Sequence, residues 1–197
     1  TIWNPGWQPS QTELDTYECR HGLGYSRFTA SKNKIQAELT AFVPLKESCE
    51  VNRLILTNHN TTEETIDLTS YVEFCFWNAV DDSTNFQRNL SLGEVEVEES
   101  TIYHKTEYRE RRNHFAYYTV NSPVAGFDTS RDDFLGVYGS IEHPETVYAG
   151  ISHNSVASGG AVIGSHHLKL TLKPGESKSL IFVLGYSEND PEDKWEA

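Results

Sequence analysis

The chain has 197 residues and carries 16 Lys and Arg against 29 Asp and Glu, a formal charge of −13. That balance argues against nucleic acid or an anionic membrane as a partner, because both are recognised through clustered positive charge. No run of about 18 apolar residues occurs, so no helix is predicted to cross a bilayer, and the length suits one domain around one core.

Residues 1–7 show neither a basic n-region nor an apolar h-region, so no signal peptide is visible. With no Met and a Thr at position 1, the chain is expected to be a piece of a longer polypeptide. Cys19, Cys49 and Cys75 are too few and too scattered for a disulfide framework or a zinc knuckle. The expectation is buried free thiols in a reducing compartment, the cytoplasm.

Residues 3–9 hold two Trp and two Pro around one Gly, an extended and turn-rich entry. His21-Gly22-Leu23-Gly24-Tyr25 lacks the remainder of a nucleotide fingerprint and reads as a tight or bulged strand start. Residues 34–43 alternate, with Ile35, Ala37, Leu39 and Ala41 on one side and Gln36, Glu38 and Thr40 on the other. Residues 51–57 repeat the pattern, and 66–77 read as one long strand. The turns at 31–33 and 58–60 look like hairpin turns.

The stretch 71–90 organises the chain. Its first half alternates Val72, Phe74 and Phe76 with Glu73, Cys75 and Trp77, a strand apolar on both faces. Its second half turns polar at Asn78. An aromatic strand that delivers a polar loop is a common way to place a binding group; here that group is Phe86-Gln87-Arg88-Asn89.

Residues 93–98 and 101–106 form a predicted hairpin with one wet face, and 115–120 are again strand. Residues 127–135 read as the only helical turn or two, with Thr129 or Ser130 as N-cap. Residues 155–164 are small and Gly-rich, a predicted loop. Residues 168–172, the turn Lys173-Pro174-Gly175-Glu176, and 180–185 read as a final hairpin. Residues 188–197 are acidic and polar, an exit linker from a domain spanning 1–187. About ten strands with almost no helix indicate an antiparallel β-sandwich.

A metal site is disfavoured: His166 and His167 are adjacent, and adjacent side chains of a strand point to opposite faces. No Gly-x-Ser-x-Gly elbow is present. The acid pairs Asp81-Asp82 and Asp132-Asp133 read as solvated turns rather than an acid/base pair. Sugar binding fits better, because sugars need amides, Arg and carboxylates for hydroxyls and aromatic faces for C–H edges. Residues 77–88 supply these groups. Residues 103–118 also do, although there an Arg/Glu/Tyr network on a sheet surface is the favoured reading.

Several motifs resemble the N-terminal domain of cellobiose phosphorylases. They are Tyr17-Glu18-Cys19-Arg20-His21-Gly22-Leu23-Gly24-Tyr25, Tyr71-Val72-Glu73-Phe74-Cys75, Trp77-Asn78-Ala79 and Asn85-Phe86-Gln87-Arg88-Asn89. Further on come 102–114, Gly126-Phe127-Asp128, Arg131-Asp132 and Phe182-Val183-Leu184-Gly185-Tyr186. The sequence departs at Ser158-Gly159-Gly160-Ala161-Val162, where the family carries an Asp-Gly-Trp-Ala-Pro-like run.

The resemblance implies an antiparallel β-supersandwich, galactose mutarotase-like, without the upstream residues that complete it. It implies a parent enzyme that splits cellobiose with inorganic phosphate, with inversion, into α-glucose 1-phosphate and glucose. The catalytic Asp would lie in a helical barrel downstream, so no catalytic residue is expected here. Phosphate takes the place of water, so one carboxylic acid suffices. The implied partners are the chain's own barrel and a second subunit of a homodimer, whose acceptor-glucose side Gln87 and Arg88 would line. No cofactor is implied beyond phosphate as co-substrate. A free-standing sugar-binding module and a mutarotase-like epimerase are the competing readings.

Overall fold

The computed structural model describes residues 1–74, 93–106 and 114–189. Among them the order is β1 (Thr16–His21), β2 (Tyr25–Lys32), β3 (Ile35–Phe42), β4 (Cys49–Asn58), β5 (Glu64–Thr69), β6 (Val72–Glu73), β7 (Gly93–Glu98), β8 (Thr101–Thr106), β9 (His114–Val120) and β10 (Gly126–Ser130). Two helices, α1 (Arg131–Leu135) and α2 (Glu145–Ala149), then precede β11 (Val162–Leu172) and β12 (Ser177–Glu188).

The strands form two antiparallel sheets. The large one runs β1-β2-β3-β4-β12-β9-β8-β7; in the small one β11 lies between β10 on one side and β5 and β6 on the other. Alternation explains the core. Ala37, Leu54, Leu56, Ile102, Tyr118, Val120, Leu180 and Phe182 point from the large sheet toward Leu168, Leu170 and Leu172 of β11. Lys169 and Thr171, between those leucines, are exposed. From Val162 to His167, by contrast, β11 is buried at every residue. There Phe134 and Leu135 of α1 pack with Ile163, in a cluster that Tyr71 joins. At Gly185 a Cβ would fall 1.9 Å from Cζ of its cross-strand partner Tyr117, so a larger residue there requires the Tyr117 ring to move.

The antiparallel sandwich and most strands agree with the sequence reading, and the differences have physical causes. The long strand at 66–77 is interrupted after Thr69. The pairing register with β11 is nevertheless the same on both sides, Thr69 opposite His167 and Val72 opposite Gly164. At the break the Ser70 hydroxyl accepts the His166 N–H at 3.2 Å, while the Ser70 N–H donates to the His166 carbonyl at 2.9 Å. A side-chain oxygen thus takes one ladder bond.

The expected final hairpin is not one. Lys173-Pro174-Gly175-Glu176 is a turn in which Gly175 has φ +74° and the Glu176 N–H donates to the Lys173 carbonyl at 3.0 Å. It carries the chain from the small sheet to the large one, because β11 and β12 pair with different neighbours. The turn at 58–60 likewise crosses between sheets rather than closing a hairpin. The predicted loop at 155–164 ends early, since Val162 already pairs in β11. Ser130 caps α1, its hydroxyl accepting from the Asp133 N–H at 3.3 Å. The helix is not alone: α2 follows, started by Pro144 and ended by Gly150 at φ +66°. Cys19 and Cys49 are unpaired but partly exposed rather than buried; Cys75 lies outside the described residues.

Candidate functional site

Antiparallel pairing fixes which connections share an end of the large sheet. His21 faces Ser26, Tyr25 faces Phe42, Gly185 faces Cys49, and Glu188 faces His114. Lys105 faces Phe115 and Gly93 faces Thr106. One end therefore collects the turn at 22–24, the connection at 43–48 and the chain leaving β12. It also collects Thr106 and His114, which bound 107–113, and Gly93, which closes 75–92. Phe74, the other bound of 75–92, brings its ring 5.2 Å from that of His104. The described residues that bound 75–92 and 107–113 thus lie at the same end, here called the loop end.

Phe86, Gln87, Arg88 and Asn89, together with Asp81 and Asp82, lie outside the described residues. Within 103–118 the described part belongs to β8 and β9, and half of it is core. Ala116 and Tyr118 point inward and are buried. Asp132 and Asp133 form the first turn of α1, where acids suit the helix N-terminus; they are not in a loop.

A polar strip lies at the loop end on the core-facing side of the large sheet. Cys19 shares the row of Phe28, Leu39, Leu54 and Leu180. Two residues further along β1, His21 has its Nδ1 2.9 Å from the Ser26 hydroxyl and its Nε2 3.2 Å from Cys19 Sγ. On β4 the Asn52 amide donates to Glu50 at 2.7 Å. On β12 the Tyr186 hydroxyl donates to Glu188 at 2.7 Å and meets His114 Nδ1. Amide, carboxylate, imidazole and phenol groups of this kind suit a hydroxylated ligand. These residues come from five strands, and only register brings them together. Sequence alternation alone did not single them out.

The interior histidines serve packing. His166 is buried and stacks on Tyr118 at 4.8 Å; burial lowers its pKa to about 4, with the Ser100 backbone opposing. Burial also lowers His104 to about 4, against a 3.3 Å contact to the Glu94 carbonyl. Burial raises the Tyr118 hydroxyl well above its usual range. Groups neutral at pH 7 and closed off from solvent make poor acid/base catalysts here. His167 points to the opposite face from His166 and pairs with Asp67 at 2.8 Å. Among the described residues no three His, Cys, Asp or Glu side chains converge on a metal position, and no helix is long and apolar enough to cross a membrane.

Beside α1, Arg131 reaches Glu73 at 3.0 Å, and Glu73 also accepts from the Tyr71 hydroxyl at 2.5 Å. Burial, helped by Glu73, raises the Tyr71 hydroxyl. Asp128 is buried on β10 and ties down 153–155. It accepts from the His153 N–H at 3.1 Å, the Ser155 N–H at 3.2 Å and the Ser155 hydroxyl at 2.8 Å.

Two antiparallel sheets packed face to face, with a polar strip at one end, place the described residues in the class of β-sandwich domains. Residues 1–196 match the supersandwich domain of glycosyl hydrolase 94, and the chain belongs to that family. It is 34% identical over 196 residues to an N,N'-diacetylchitobiose phosphorylase of Vibrio proteolyticus, covering 96% of this chain and 24% of the relative. It is 32% identical over 193 residues to a solabiose phosphorylase of Paenibacillus borealis, covering 96% and 25%. The chain thus spans about a quarter of the length of these curated relatives. Among solved structures, a human-microbiome protein described as a kojibiose phosphorylase superposes with a TM-score of 0.51 at 10% identity, covering 94% of this chain and 21% of that one. That likeness shows the fold alone.

Proposed function

We propose that this chain is the N-terminal substrate-binding and dimerisation domain of an inverting disaccharide phosphorylase. The parent enzyme converts cellobiose and inorganic phosphate to α-glucose 1-phosphate and glucose. The observation that carries the reading is the family match over residues 1–196, joined to phosphorylase relatives four times as long. Its partners are the catalytic barrel that follows in the same polypeptide and a second subunit. Phosphate is its co-substrate, it needs no resident cofactor, and it works in the cytoplasm. Residues 1–187 are the domain and 188–197 the linker toward the barrel. Phe86, Gln87, Arg88 and Asn89 contact the acceptor sugar.

Cellobiose is the finer part of the proposal and is supported by the motif resemblance. The relatives carry the names of other disaccharides. The test is to incubate the full-length protein with phosphate and, in turn, cellobiose, N,N'-diacetylchitobiose and solabiose. The expected result is phosphate-dependent α-glucose 1-phosphate from cellobiose at the highest kcat/KM. Preference for another disaccharide overturns the cellobiose assignment, and release of sugar without phosphate overturns the phosphorylase reading.

A further inference from the structure

The outward face of β1–β4 carries its side chains in chemically distinct rows. Register places Arg20 opposite Arg27, Arg27 opposite Thr40, Thr40 opposite Arg53 and Arg53 opposite Ile181. Along the strands these residues alternate with Cys19, Phe28, Leu39, Leu54 and Leu180 on the core-facing side, so the row looks outward. In the next row toward the loop end, Tyr25 faces Phe42 and Phe42 faces Val51. In the next row the other way, Glu18 faces Thr29 and Thr29 faces Glu38. Rings, positive charge and negative charge thus occupy separate rows.

That order costs stability. Like charges directly opposite on neighbouring strands destabilise the pair, and Arg20 and Arg27 stand so. The acids answer the arginines only in part. Glu18 takes Arg20 at 2.9 Å, and Glu38 lies 3.7 Å from Arg27 Nε, which donates to the Thr40 hydroxyl at 3.2 Å. Arg53 donates through its own Nε to the Ser179 hydroxyl at 3.4 Å. The Nη groups of Arg27 and Arg53 make no hydrogen bond or ion pair among the described residues. Arg27 rests its guanidinium 5.8 Å from the centre of the Tyr25 ring. Arg53, Tyr25 and Phe42 are exposed. In a chain of formal charge −13, a row of three arginines is a local exception that a bound anion would offset.

The arginine row and the ring row together select the occupant. Arginine forks match the oxygens of a phosphate. The Thr40 hydroxyl, which accepts from Arg27, keeps its own proton for a further bond. The exposed rings of Tyr25 and Phe42 offer apolar surface to the C–H edges of a sugar. The two rows lie about 7 Å apart along the strands, two residues at about 3.4 Å each, a step spanned by a phosphate and the pyranose ring that carries it. We propose that the outward face of β1–β4 binds a sugar phosphate, with Arg27, Thr40 and Arg53 on the phosphate and Tyr25 and Phe42 on the ring. Arg20 adds its charge beside them. A neutral disaccharide would leave the arginine row unanswered, and inorganic phosphate alone would leave the rings bare. The particular occupant is α-glucose 1-phosphate, a choice that rests on the phosphorylase reading above. It adds to that reading a sugar-phosphate site on this domain's own strands.

The test labels arginines of the full-length protein with p-hydroxyphenylglyoxal and reads each position by mass spectrometry. Labelling is timed with α-glucose 1-phosphate, inorganic phosphate or glucose, all at one ionic strength. Arg131, paired with Glu73 away from this face, is the internal control. The expected result is several-fold slower labelling of Arg27 and Arg53 with α-glucose 1-phosphate, little change with the other two, and none at Arg131. Arg53→Gln should abolish the protection of Arg27, and Phe42→Ala should reduce it to the level given by inorganic phosphate, both with wild-type melting curves. Equal protection by inorganic phosphate, equal slowing at Arg131, or no protection by any of the three would overturn the proposal. So would full protection of Arg27 in the Arg53→Gln protein. Labelling needs no turnover, and phosphorolysis of cellobiose is assayed separately on unlabelled protein, so failure of the enzyme reading and failure of this site give different results.

Discussion

The Asn58 side chain donates to the Leu172 carbonyl at 2.9 Å, joining residues 114 positions apart at the corner where the chain passes between the sheets. Its second N–H donates to the Thr62 carbonyl at 2.9 Å, and its oxygen accepts from the Asn60 N–H at 2.8 Å. Its backbone bonds the neighbouring turn, accepting from Gly175 at 2.8 Å and donating to Glu176 at 3.0 Å. Both crossings between sheets, at 58–63 and 173–176, therefore converge on one fully buried residue.

Replacing Asn58 should loosen both crossings at once. Asn58→Ala leaves the Leu172 and Thr62 carbonyls without these donors, a loss of about 2–3 kcal/mol. Asn58→Asp keeps the shape but cannot donate when ionised, so it is expected to be at least as damaging. Calorimetry on the two variants checks this. An unchanged melting temperature for Asn58→Asp would show that the carboxamide donors contribute nothing.

The buried histidines set a pH dependence. His166 and His104 are held to about 4 when folded, against an ordinary value near 6.5. The unfolded chain therefore takes up their protons first as pH falls. Stability is untouched above about 6.5 and is lost between there and about 4, by on the order of 3 kcal/mol for each residue as an upper bound. His166→Phe should keep the stack on Tyr118 and remove one proton from this uptake. Unfolding free energies from pH 7 to 4.5 are expected to fall less steeply in the variant. Parallel slopes in the two proteins would show that His166 is not the responsible group.

Alternation made the sandwich legible. Ile35 to Ala41 in β3 and Val95 and Val97 in β7 announced half-buried strands, and the structure pairs them as such. Sheet membership was not legible. Pro174-Gly175 makes the same turn whether the chain returns along its own sheet or crosses to another, and only the pairing of β11 with β5 decides. The five residues of α2 are too few to show a helical period. The polar strip was invisible for a related reason. His21, Asn52 and Tyr186 look like ordinary outward positions until the register places them on the core-facing side. The residues chosen from sequence, Phe86 to Asn89, lie outside the described part.

Asp128 should act as a latch for 153–155. Its carboxylate accepts two backbone N–H groups and one hydroxyl, and Thr129 beside it accepts from the Ala157 N–H at 2.8 Å. Charge-assisted bonds of this kind are stronger than neutral ones. Asp128→Ala is expected to cost about 2–4 kcal/mol and to speed amide exchange at His153 and Ser155 well before β11 opens. Hydrogen exchange resolved by residue measures this. Uniform faster exchange across the domain would mean that Asp128 supports the whole fold instead of one segment.

The last prediction follows from the proposed function and concerns Arg88. Its stretch springs from Phe74, which packs beside His104, and returns at Gly93, paired with Thr106. Arg offers fork donors to sugar hydroxyls and the neighbouring Gln87 both a donor and an acceptor, which is the chemistry the proposed function assigns to them. In the full-length enzyme, Arg88→Ala should weaken acceptor glucose in the synthetic direction by about 1.5–3 kcal/mol, the range for a hydrogen bond to a charged group, with the melting temperature unchanged. The proposed dimer places this loop over the partner's site, so the effect should act in trans. In a dimer in which one chain carries both Arg88→Ala and an inactivated barrel, the one active barrel belongs to the other chain, and it is expected to be impaired because it faces the lost arginine. That arrangement separates the two geometries: if the loop serves its own barrel, the remaining active site keeps wild-type glucose affinity; if it serves the partner's, that site shows the full weakening. Steady-state glucose kinetics on purified mixed dimers read the difference. Wild-type acceptor kinetics in the Arg88→Ala homodimer would remove Arg88 from the site altogether.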